Sequence, residues 1–105
     1  MGRLSYGSNT TFDFEDRLLT HLQLVIASKL RRGEHFMLSW SAPRDSGEGR
    51  HSIWIDNGVP MHFNFSGGRQ PSVNREWLSI LLEASNSPAG LVVMPEPPPS
   101  SSSLS

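Results

Sequence analysis

Apolar and polar residues alternate over residues 3–6 and again over 11–14, and Gly7-Ser8-Asn9 separates the two runs. A period of two around a glycine-containing turn predicts a β-hairpin. The period then changes. Leu18, Leu19, Leu22, Val25, Ile26 and Leu30 recur at steps of three and four, which predicts an amphipathic helix over 16–32. Asp13, Glu15 and Asp16 stand at its start, Lys29, Arg31 and Arg32 at its end, and Gly33 follows. This is the charge order that a helix macrodipole favours, with glycine where the chain must turn away.

Residues 35–41 return to alternation, with Phe36, Leu38 and Trp40 on one face. Residues 51–55 set Ile53 and Ile55 against Ser52 and Trp54, and 61–66 set Met61, Phe63 and Phe65 against His62 and Asn64. A long polar loop (42–49) and an Asn57-Gly58 turn link these segments, so the three strands are expected to form an antiparallel meander. Ser72 or Asn74 can cap a second helix reaching about Ser85, with Val73, Trp77, Ile80, Leu81 and Ala84 as its apolar stripe. The run 91–94 predicts a last strand.

The expected fold is therefore α+β, in the order β-β-α-β-β-β-α-β. An antiparallel sheet of about five strands carries two amphipathic helices, and one face of the sheet is buried. Phe36, Leu38, Trp40, Ile53, Ile55, Phe63 and Phe65 should meet Leu18, Leu22, Ile26, Trp77, Ile80 and Leu81. The domain is expected to span 1–94, and residues 95–105 to form a disordered tail, since they are almost entirely Pro and Ser.

Composition narrows the function classes. The chain has 105 residues, enough for one domain. Nine basic and ten acidic side chains give a net charge of −1, so no global field draws the molecule to nucleic acid or an anionic membrane. No cysteine is present, which excludes disulfides, thiolate nucleophiles and Cys-ligated zinc. The apolar run Leu24-Val25-Ile26-Ala27 is far too short for a membrane span, and the N-terminus lacks the apolar region of a secretion signal. A cytoplasmic protein without a cofactor or metal is expected. His21, His35, His51 and His62 show no metal-ligand spacing; helix-flank packing accounts for His21, and no catalytic set of nucleophile, base and orienter can be assembled.

Several blocks recur in the order seen in one family. These are Met1-Gly2-Arg3-Leu4 with Tyr6-Gly7, the segment 22–33, Phe36 with Ser39-Trp40, the segment 49–55, Phe63-Asn64-Phe65-Ser66-Gly67-Gly68-Arg69, Asn74-Arg75-Glu76-Trp77 and Asn86-Ser87-Pro88-Ala89-Gly90-Leu91. Over nearly all of the body the chain resembles a family of small bacterial proteins of about this length, a domain of unknown function whose members often carry the label ATP-dependent DNA ligase. Such ligases use a Lys-x-Asp-Gly motif, whose lysine amine takes up AMP. Here Lys29 is followed by Leu30-Arg31-Arg32-Gly33, and the chain is shorter than a nucleotidyltransferase domain.

Two surfaces remain as candidates. The Ser66-Gly67-Gly68-Arg69 connector precedes a helix, so Gly67, Gly68, Arg69 and Arg75 can form an anion site, and Arg31 and Arg32 can add a basic patch for nucleic acid. The structural alternative is a turn with solvated arginines and charges that complement a helix dipole. Trp54, His62 and Asn64 share the outer side of the meander; exposed, they would contact a protein partner or a second copy, and covered, Trp54 would be core. The leading expectation is a non-enzymatic binding or adaptor module, and the alternative is a nucleic-acid or nucleotide accessory protein.

Overall fold

The structure, a computed structural model, describes residues 1–98. The elements follow in the order β1 (Gly2–Tyr6), β2 (Thr10–Phe14), α1 (Asp16–Arg31), β3 (Phe36–Ser41), β4 (Arg50–Ile55), β5 (Met61–Asn64), α2 (Arg75–Ser85) and β6 (Leu91–Val92). The order is the one expected, and the fold is α+β. The sheet is not. Six strands form two separate three-stranded sheets, β2-β1-β5 and β4-β3-β6.

The division has a physical cause. An Asn-Gly turn shapes only the few residues around it: here Val59 N–H bonds the Asp56 carbonyl at 3.3 Å, and the chain then leaves β4 altogether. β5 pairs with β1, placing Phe63 beside Leu4, which already faces Phe12. β6 lies parallel to β3, placing Leu91 beside Leu38, which already faces Ile53. Each sheet thus completes an apolar row across three strands, and cross-strand rows of this kind are what stabilise a sheet. The expected meander through β3, β4 and β5 is replaced by these two rows.

Both sheets and both helices contribute to one core, with Leu4, Leu19, Leu22, Val25, Leu38, Ile55, Leu81 and Leu91 fully buried. Each such side chain contributes roughly 1.5–3 kcal/mol. Phe12 and Phe14 of β2 meet Trp40 of β3 edge-on, at ring distances of 4.8 and 5.0 Å. The stripe on α2 is turned from the expected one. Trp77, Leu81 and Ser85 face inward, whereas Ile80 is 37% exposed and Val73 lies outside the core. The helix rests on its i, i+4 row because it packs between α1 and the β3/β6 edge.

The helix ends follow the sequence. Gly33 has φ +73°, and the N–H groups of Gly33 and Glu34 reach the Leu30 and Lys29 carbonyls at 2.9 and 3.0 Å, which satisfies the last carbonyls of α1. Asn74 caps α2, its Oδ1 accepting from Trp77 N–H at 3.1 Å. The same asparagine belongs to a partly buried network. Its N–H donates to His21 Nε2 at 2.9 Å, while His21 Nδ1–H donates to the Arg17 carbonyl at 2.7 Å. His21 is fully buried and packs 4.6 Å from the Trp77 ring. Arg17 then holds Glu96 through two 2.7 Å bonds, and Asn74 Nδ2 adds a third at 2.8 Å. Glu96 therefore fastens the chain after β6 to both helices. The rest of the expected disordered tail, residues 99–105, lies outside the described residues.

Candidate functional site

Among the described residues, nothing packs over the outer face of the β4-β3-β6 sheet. On it Trp54, 51% exposed, stands opposite Met37 in register, and Val92, 53% exposed, stands opposite Ser39. Between them Ser39 and Ser52 join their hydroxyls at 2.7 Å. The position of Trp54 is fixed from behind. Tyr6 of the other sheet donates its hydroxyl to the Trp54 carbonyl, and the His35 ring lies 5.7 Å from the indole, itself 3.3 Å from Asp56. The result is a large aromatic group on a braced strand, beside Met37, the His35 ring and two serines.

His62 and Asn64 do not join it. They lie on β5, opposite Ser5 and Arg3 of β1, on the exposed side of the other sheet. The three residues share strand parity, but the pairing of β5 with β1 separates them.

Beside Trp54 a cavity of about 290 Å³ opens, with Met37, Ser87 and Pro88 in its walls and Lys29 at its floor. Lys29 is buried. Its Nζ donates to Asn86 Oδ1, the residue that ends α2, and lies 3.1 Å from Glu34 Oε1. Lys29, expected among the charges that end α1, is thus removed from the surface. Its burial was readable: position 29 follows Leu22, Val25 and Ile26 on the same helical face.

The glycine connector meets an internal carboxylate. Ser66 and Gly67 N–H groups donate to Asp16 at 3.1 and 2.8 Å, so these two donors face a side chain of α1. Gly68 and Arg69 are exposed, and Arg75 opens α2 directly after its cap. Arg31 and Arg32 sit at the far end of α1, roughly 22 Å along the axis from Asp16; Arg32 lies 3.8 Å from Glu34. The six residues considered for one anion or nucleic-acid site are thus divided between the two ends of a helix. Among the described residues no cluster of three metal-ligating side chains occurs, and no helix is long and apolar enough to cross a membrane.

Two carboxylates carry a pH signature. Backbone N–H donors hold Asp16 below its ordinary range, and Arg17 with Asn74 holds Glu96 down at about 2. A carboxylate with a depressed folded-state pKa stabilises the fold above its unfolded value and loses that contribution as protons bind. The urea midpoint is expected to fall from pH 4.5 toward pH 2, the interval between Glu96's ordinary and folded values. A Glu96→Gln variant should show a shallower decline; an unchanged profile would mean that the Arg17 pair adds nothing to stability.

A second, larger groove of about 870 Å³ runs between β2 and the β3–β4 loop, lined by Phe12, Trp40 and His51 and bordered by Glu96. His51 stacks on Trp40 at 5.3 Å and holds Glu48 at 3.0 Å. No curated protein and no solved structure matches the chain. Residues 1–96, from the first strand to the glutamate that closes the helix network, match the family described as Domain of unknown function (DUF7882), and the chain belongs to that family.

Proposed function

We propose that the domain is a binding module that engages a polypeptide partner through the outer face of the β4-β3-β6 sheet, with Trp54 as its anchor. The observation that supports this reading is Trp54 itself, half exposed beside Met37 on a sheet face that neither α1 nor α2 covers. Aromatic residues held rigidly on a surface lose little conformational freedom on binding and dominate many interfaces. Ser39 and Ser52 beside it are neutral and cost less to desolvate than charged side chains would.

Capture from lysate with the purified chain, compared across two variants, tests it. Trp54→Ala should leave the unfolding free energy within the range of ordinary surface changes, about 0.5 kcal/mol. It should weaken partner binding by at least about 2 kcal/mol, roughly thirtyfold. His62→Ala, on the other sheet, should bind as the parent does. Equal binding by all three proteins would sink the reading. So would an oligonucleotide complex at low salt that persists in Trp54→Ala and weakens steeply with added salt, since that is the behaviour of phosphate contacts.

A further inference from the structure

The cavity beside Trp54 is lined by a buried ammonium group whose partners are polar. Lys29 is the chain's only lysine, and it occupies a buried position on the core-facing side of α1. Its ammonium carries three N–H donors. Asn86 Oδ1 accepts one, Glu34 Oε1 lies 3.1 Å away as an ion-pair partner, and Nζ stands 5.9 Å from the centre of the Phe36 ring, which also lines the cavity. The Glu34 side chain is 44% exposed beside it, so its carboxylate keeps lone pairs for a further donor. Donor and acceptor thus stand 3.1 Å apart in a space of about 290 Å³.

That pair discriminates among chemical groups. A carboxylate entering the cavity meets Lys29 but also Glu34, and a cation meets the reverse. An alkyl group desolvates both charges and replaces neither contact, which costs more than it gains. A primary carboxamide is neutral, planar, and presents a carbonyl acceptor next to an NH₂ donor. Resting on the binding reading of the Trp54 surface, we propose that this pocket receives the side-chain amide of an asparagine or glutamine from the partner. Its carbonyl accepts from Lys29 Nζ and its NH₂ donates to Glu34, while the neighbouring partner residue covers Trp54 and Met37.

Gly90 forms part of the opposite wall. Its φ of +81° and its approach to Met37 hold the Ser87–Gly90 turn against β3, with Ser87 Oγ bonded to the Gly90 carbonyl at 3.1 Å. This part of the lining is therefore set by the backbone, which limits the cost of closing around a ligand.

Random peptides displayed on phage, selected on the full chain and counter-selected on Trp54→Ala, test the proposal. Trp54-dependent ligands are expected to concentrate Asn or Gln at one position. Replacing that amide with Glu or Leu in the synthetic peptide should weaken binding roughly ten- to a hundredfold, the range for hydrogen bonds to charged groups. Glu34→Ala leaves Lys29 with Asn86 as its partner; once circular dichroism shows that the variant keeps the fold, it should shift the selected position toward Asp or Glu. Lys29→Met should lose the amide preference as well. Trp54-dependent ligands with no amide position, or with the same preference in Glu34→Ala, overturn the pocket assignment and leave the binding surface standing. Failure to select any Trp54-dependent ligand overturns both.

Discussion

Gly90→Ala should destabilise the domain by roughly 2–5 kcal/mol, a large part of the margin available to a protein of this size. Two separate causes add. Gly90 has φ +81°, where a side chain costs about 1–2 kcal/mol. A Cβ there would also fall on the Met37 carbonyl oxygen, 2.9 Å from Met37 Cβ and 3.1 Å from its carbonyl carbon. Backbone cannot rotate away as a side-chain tip can, so either the turn or β3 must move, and β6 begins at the next residue. Gly33→Ala separates the two causes. Gly33 has φ +73°, and a methyl group on its Cα would meet nothing within 4 Å, so it should lose only the conformational part, about 1 kcal/mol. Urea denaturation of both variants decides the matter: equal losses would show that the approach to Met37 costs nothing.

The second large loss is expected at His21. Removing the ring in His21→Ala opens space against Trp77 and strips Asn74 N–H of its acceptor, for roughly 3–5 kcal/mol in all. His21→Leu refills most of the volume and still leaves that N–H without a partner, for roughly 1–3 kcal/mol. The amide of Asn74 should lose hydrogen-exchange protection in both variants. A His21→Leu protein as stable as the parent, with Asn74 still protected, would mean that solvent replaces the imidazole at no cost.

The contrast between these sites and the rest of the chain explains what could be read in advance. Periodicity is a property of neighbours in sequence, so α1, α2 and all six strands were expected within a few residues of their places. Pairing is not such a property. Residues 56–60 carry a hairpin turn's composition, yet the partner of Met61 is Tyr6 and the partner of Leu38 is Leu91; both choices depend on which apolar rows can be completed across the molecule. The same limit separated Trp54 from His62 and Asn64. It also hid the Asp16 carboxylate beneath Gly67, because a nest of N–H donors does not reveal whether its anion comes from outside or from the chain itself. Lys29 is the opposite case. Its place on the apolar side of α1 was present in the spacing, but the complementary charge at a helix end offered a sufficient reason for a lysine there.

Both sheets are completed by strands from the later half of the chain: β5 closes the sheet that β1 began, and β6 closes the one that β3 began. During synthesis the first hairpin and α1 leave the ribosome well before either closing strand does. β1 and β3 therefore each wait with one edge open, and α1 has no second helix to cover it. Such edges are where strands from other chains attach, and closing long loops late makes folding slow for a domain this small. The nascent protein should thus be most prone to aggregate, and most in need of a chaperone, after Ser41 has emerged and before Val92 has.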